Sequence, residues 1–227
     1  MTKLSGMNIG MLLYPGLTQL DLTGPFELFH RVPDARVLLV WKDKAPIQSD
    51  SGMTIVPTTA MSDCPPLDVV FVPGGFGQVA LMSDETVLAF LREHGKRARY
   101  VTSVCTGALL LGAAGLLEGY EATTHWAYVE LLSSFSARYV QKRVVVDRNR
   151  ITGGGVTAGL DFGLRVVSEL AGEQVAKGIQ LGLEYDPEPP YRSGHPNVAD
   201  PALVEEVRRR MHERVERAAD GLKARDV

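Results

Sequence analysis

A chain of 227 residues, 45% hydrophobic and 22% charged, has room for one well-packed domain and the balance of an ordinary globular protein. Its net charge of −3 offers no basic face for nucleic acid or an anionic membrane, and no stretch is long and apolar enough to span a bilayer. Two cysteines, Cys64 and Cys105, do not make a disulfide framework, so a cytoplasmic, reducing setting is expected.

Strands and helices alternate along the chain. Met7–Tyr14 is a continuous apolar run, as expected of a strand buried on both faces. Leu17–His30 has helical spacing, and Ala35–Trp41 and Val69–Val72 read again as central strands. Asp84–Lys96 forms an amphipathic helix with Ser83 as its N-cap candidate. A strand through Tyr100–Val104 then runs into Cys105 and straight on into an Ala/Leu-rich helix. A short strand near Ala122–Thr124 and a helix from Trp126 to Leu132 follow. Tyr139–Asp147 and Arg150–Thr152 read as a hairpin turning at Asp147-Arg148-Asn149. Thr157–Leu170 and Glu173–Glu184 are helical. The alternation predicts an α/β fold: a doubly wound, mostly parallel sheet with helices on both faces. The Pro-rich Tyr185–Pro196 should run extended over a surface, its own or a neighbouring subunit's, into an Ala202–Arg217 helix that frays beyond Ala219. Residues 1–196 are therefore expected to form the α/β domain, and 197–227 a helical extension of it.

A strand turning at once into a helix with a thiol at the corner is the geometry of a nucleophile elbow. Such a cysteine sits at the carboxyl end of the sheet, where ligands of these folds bind, and a helix N-terminus there favours its thiolate. The competing reading of Cys105 is a buried structural thiol. Cys64, in a Pro-rich loop, has no such context. Asp21 reads from local pattern first as a helix N-cap, with Thr23 its rival, but its place after the first strand, bordering the same crevice, raises the catalytic reading. Glu27 reads as a surface or dimer residue. Pro73-Gly74-Gly75 ends one strand, and its glycines leave N–H groups that with the Thr106 N–H could form an oxyanion hole; at Gly153-Gly154-Gly155-Val156, another strand-to-helix junction, the glycines either let the backbone hug a small pocket or merely make a tight turn. His125 either reaches the site from the next strand or opens the following helix. No His/Cys/Asp cluster has metal-ligand spacing and no phosphate loop is present, so neither metal nor cofactor is expected.

Pro73-Gly74-Gly75, Ser103-Val104-Cys105-Thr106-Gly107, Ala122-Thr123-Thr124-His125-Trp126 and Gly154-Gly155-Val156-Thr157-Ala158-Gly159 together resemble the ThiJ/PfpI superfamily, which has the flavodoxin-like fold of class I glutamine amidotransferases. The resemblance spans Met7 to about Pro196. Asp21-Leu22-Thr23-Gly24-Pro25-Phe26-Glu27 and Tyr185-Asp186-Pro187-Glu188-Pro189-Pro190 place it near the subgroup holding isocyanide hydratases and the sensor halves of AraC-type regulators. It implies Cys105 as nucleophile, Asp21 as acid and base, and Thr106 as their partner. Gly75, Gly154 and Val156 would wall a small apolar pocket without a cationic clamp. The implied reaction adds water to an isocyanide through a cysteine thioimidate, giving a formamide. A homodimer is also implied. The alternatives are a ligand- or redox-sensing module without a DNA-binding domain, and a glyoxalase- or amidase-like activity at the same cysteine.

Overall fold

A computed structural model describes residues 6–223, with side chains through residue 216. A seven-stranded sheet runs in the order Val144–Asp147, Arg150–Gly153, Tyr100–Val104, Val69–Val72, Met7–Leu12, Ala35–Trp41, Thr59–Ala60. All neighbours are parallel except the first pair, a hairpin whose antiparallel strand forms one edge. The chain lays down Met7–Leu12, moves outward to Ala35–Trp41, then returns to put Val69–Val72 on the other flank of the first strand. That reversal is the topological switch point, where the connections diverge and open a crevice. The expected doubly wound architecture is what forms, and for the expected reason: the Val69–Val72 strand is buried along its whole length, so both faces must be covered.

On one face lie α1 (Gln19–Phe29), α5 (Ala158–Ala171) and α6 (Glu173–Gly182). Phe29 of α1 and Phe162 of α5 meet edge-on at 6.3 Å between centroids, over Phe71 of a central strand. On the other face lie α2 (Gln78–Leu81), α3 (Glu85–Arg97) and α4 (Gly107–Ala113). A final helix, α7 (Pro201–Lys223), packs against α2 and the 3₁₀ segment Trp126–Phe135.

Four local expectations are corrected. The N-cap of α3 is Asp84, whose Oδ1 accepts from the N–H groups of Thr86 and Val87 at 3.1 and 3.3 Å; a carboxylate one residue later outcompetes the Ser83 hydroxyl. The hairpin begins at Val144, because Tyr139 pairs instead with Ala122 in a separate two-stranded ribbon. The Trp126 helix is 3₁₀, its first turn closed by His125 Nδ1 accepting the Ala127 N–H at 3.2 Å. Helical backbone in α7 continues to Lys223, past the point where fraying is expected; residues 224–227 lie outside the described residues.

Candidate active site

Cys105 follows the central strand Tyr100–Val104 and adopts φ +56°, a left-handed conformation costly for a residue with a Cβ. Hydrogen bonds at both its N–H and its carbonyl hold it there. Its N–H donates to Gly154 O at 2.7 Å, and its carbonyl accepts from the Thr124 hydroxyl at 2.8 Å. The elbow is thus built as its sequence suggests, and Gly154 and Thr124 are the groups that hold it. Thr124, which sequence reasoning left without a role, becomes visible only when the Glu121–Ala122 segment returns beside the nucleophile.

Asp21 lies in the first turn of α1, after the strand on the far side of Val69–Val72. It is not an N-cap; Thr18 holds that position. Its side chain is fully buried and turns toward the sheet, where Oδ2 accepts the Gly74 N–H at 3.0 Å. A Cβ placed on Gly74 would lie 2.6 Å from Asp21 Oδ2, 2.7 Å from Thr106 N and 2.8 Å from Cys105 Cβ. Acid, nucleophile and neighbouring amide therefore crowd around one point that only glycine leaves free. Tyr14, at the end of the first strand, pins the loop by donating to Pro73 O at 2.8 Å.

Burial raises the Asp21 carboxyl to about 7, against the opposing pull of hydrogen bonds from the Cys105 thiol and the Gly74 N–H. The Cys105 thiol lies well above the usual range, first because it is buried and second because of the Asp21 charge; the Thr106 N–H and hydroxyl pull the other way. The helix N-terminus expected to favour the thiolate is opposed by desolvation, which outweighs the backbone donor. Instead the two groups compete for one negative charge, and ionising one holds the proton on the other.

The Gly75 N–H donates to Thr106 Oγ1 at 3.0 Å, so it is not a free oxyanion donor; it aims the threonine hydroxyl. Gly154 likewise does not line the thiol's cavity, since its carbonyl is spent on the Cys105 N–H and its own N–H on Arg143 O at 2.9 Å. Gly75, Thr106 and Val156 do line it. This cavity holds about 160 Å³, and a larger one of about 610 Å³, which Gly154 borders, adjoins it across His125 and Val156. His125 is neutral, its basicity lowered to about 4 by burial, with Nδ1 committed to Ala127 N–H. Glu27 is exposed and paired with Arg31. Cys64 is raised to about 11 by burial and lies remote from this cavity.

The least anticipated wall belongs to α7. Met211, Arg214 and Val215 line the Cys105 cavity, and the Arg214 guanidinium stacks 4.3 Å from the Phe76 ring centroid. The expectation of no cation at the pocket is therefore corrected, although this cation is spent on an aromatic face. The helix is fastened by the Tyr128 hydroxyl donating to Met211 O at 2.9 Å, and by His212 Nε2 against Ala127 O at 3.0 Å. The available signal was the apolar spacing Val204, Val207, Met211, Val215 within the Arg/Glu-rich run.

Comparison with known proteins follows the same lines. The chain is 54% identical over 204 residues to the isonitrile hydratase of Pseudomonas putida, covering 90% of each protein. It superposes on the crystal structure of a ThiJ/PfpI family protein from Pseudomonas syringae with a TM-score of 0.90 and 46% identity, over 96% of this chain and 92% of that one. An HTH-type transcriptional regulator of Pseudomonas aeruginosa is 29% identical over 79% of this chain, but the match spans 51% of the regulator. The pattern of the DJ-1/PfpI family matches residues 7–169, which carry the elbow, the acid and both glycine loops, and the chain belongs to that family.

Proposed function

We propose that this protein is an isocyanide hydratase, a hydro-lyase converting R–N≡C and water into an N-substituted formamide. One observation carries the reading beyond likeness to the Pseudomonas putida enzyme: a buried acid raised to about 7 lies behind a thiol that itself lines a compact cavity. An isocyanide's terminal carbon accepts a thiolate only if it gains a proton in the same event. The proton shared by Asp21 and Cys105 supplies both species. With the proton on Asp21, the Cys105 sulfur is an anion held by the Thr106 N–H and hydroxyl.

Sulfur attacks the terminal carbon and Asp21 delivers its proton there, leaving a thioimidate R–N=CH–S and an Asp21 carboxylate. Water then adds to the thioimidate carbon, giving one proton to Asp21, which passes it to nitrogen. The tetrahedral adduct collapses as Asp21 takes the hydroxyl proton, the C–S bond breaks and the electron pair stays on sulfur. Formamide leaves, and the pair regains its starting proton. Atoms and electrons balance with water alone, so the scheme calls for no cofactor.

Burial disfavours the redox-sensor alternative, since oxidation seeks exposed thiols of low pKa and Cys105 is 5% exposed. A cytoplasmic homodimer completes the reading, supported by Leu181 and Tyr191, large apolar side chains 83% and 79% exposed that a subunit interface would cover. Incubation with cyclohexyl isocyanide should yield N-cyclohexylformamide, lost in Cys105→Ala and Asp21→Asn. Unconsumed isocyanide with intact protein would sink the proposal.

A further inference from the structure

Gln78 opens α2, 4% exposed, and faces the Cys105 cavity. Its amide oxygen is buried and makes no hydrogen bond to any described residue. Burying such a group without a partner is costly, and native proteins seldom leave one without water or ligand. Three neighbouring polar groups in the same wall are already committed. Thr18 donates to Asp50 at 2.8 Å, Gly75 N–H to Thr106, and the Tyr128 hydroxyl to Met211 O. The backbone anchors Gln78 beside the nucleophile's partner: its N–H donates to Gly75 O at 3.2 Å, and Gly75 in turn donates to Thr106.

What enters this cavity decides what the Gln78 amide meets. An alkyl isocyanide carries no N–H or O–H and gives an acceptor nothing. Water, the tetrahedral carbinol and the formamide all do. We propose that Gln78 positions the water that attacks the thioimidate, acting in the second half of the reaction and not in the first; the proposal rests on the hydratase reading above. As the water oxygen bonds to the thioimidate carbon, Asp21 takes one of its hydrogens as a proton. Gln78 Oε1 accepts a hydrogen bond from the other, which stays on oxygen until the C–S bond breaks.

The test follows both half-reactions in the full chain with cyclohexyl isocyanide, by rapid quench and intact-mass spectrometry, in wild type, Gln78→Leu, Gln78→Met and Gln78→Glu. Both apolar variants should form the Cys105 adduct at the wild-type rate within about twofold. Their turnover should fall about 100-fold, the range lost with one positioned polar group, so the thioimidate becomes the dominant species. Gln78→Glu, which keeps an acceptor oxygen, should recover part of the turnover. Two apolar variants guard against one failing to fold. Unchanged turnover without adduct accumulation overturns the proposal, and so does slowing of adduct formation equal to that of turnover, which a merely shape-filling residue would produce. Absence of formamide from the wild type overturns the hydratase reading itself, a separate failure.

Discussion

The Gly74 N–H donates to Asp21 Oδ2 at 3.0 Å, tying the loop after one strand to the acid carried by the helix after its neighbour. This bond spans the switch point of the sheet and sets the acid against the sulfur. It predicts that Gly74→Ala is severe, because the added methyl would collide with Asp21, Thr106 and Cys105 together. Displacing catalytic groups by about 1 Å costs about 100-fold in rate. kcat/KM for cyclohexyl isocyanide should fall at least that far while circular dichroism stays native-like.

Asp21 also makes the fold less stable at neutral pH. Below about pH 4 the acid is protonated in both the folded and unfolded states. As pH rises toward 7, the unfolded chain releases this proton while the folded protein, with its pKa raised to about 7, retains it, so stability falls across that window and the loss is complete above it. Three pKa units correspond to about 4 kcal/mol. Asp21→Asn should therefore be more stable than wild type by about 2–4 kcal/mol at pH 8 and indistinguishable from it near pH 4. Urea unfolding at the two pH values measures this, and equal stability at pH 8 would contradict the buried-acid description.

The same pair sets the pH dependence of the rate. Attack requires a thiolate and a protonated acid, which is the state holding one proton between Asp21 and Cys105. The first proton leaves with the apparent pKa of about 7 assigned to Asp21, so kcat/KM should rise tenfold per unit below that value and level off above it. A fall should appear only where the remaining proton leaves, far higher, since burial and the Asp21 charge raise the thiol. A profile falling with increasing pH through 7 would reverse the assigned roles.

Met211 and Val215 roof the cavity, so they should govern which R group fits. Met211→Ala and Val215→Ala should raise the kcat/KM ratio of cyclohexyl to methyl isocyanide about tenfold, the discrimination typical of a methylene-sized change in an apolar pocket. Leu203→Ala, 44% exposed on the same helix and outside the lining, should leave the ratio unchanged.

Much of the site was legible because it is local. The apolar run into Cys105, the small residue behind it and the helical pattern beyond define an elbow within about ten residues, whose costly φ of +56° is then held by Gly154 and Thr124. Asp21, Thr106 and Gly74 were likewise marked by their place at strand ends. Gly75 and Gly154 both lie beside the elbow, but neither offers a free N–H. Whether an N–H is free depends on what stands opposite it, here Thr106 Oγ1 and Arg143 O, from segments distant in the chain.

Pattern and composition alone therefore determined the parallel sheet, the corner at Cys105 and the crevice beside it, since burial on both faces admits few other arrangements of such strands. Only the tertiary structure decided the protonation of the site and its boundaries. The raised acid and thiol follow from exclusion of water, which no linear spacing encodes. The roof follows from a helix about a hundred residues beyond the nucleophile folding back to bring Met211 and Val215, half-buried, to the cavity that Phe76 and Tyr128 also line.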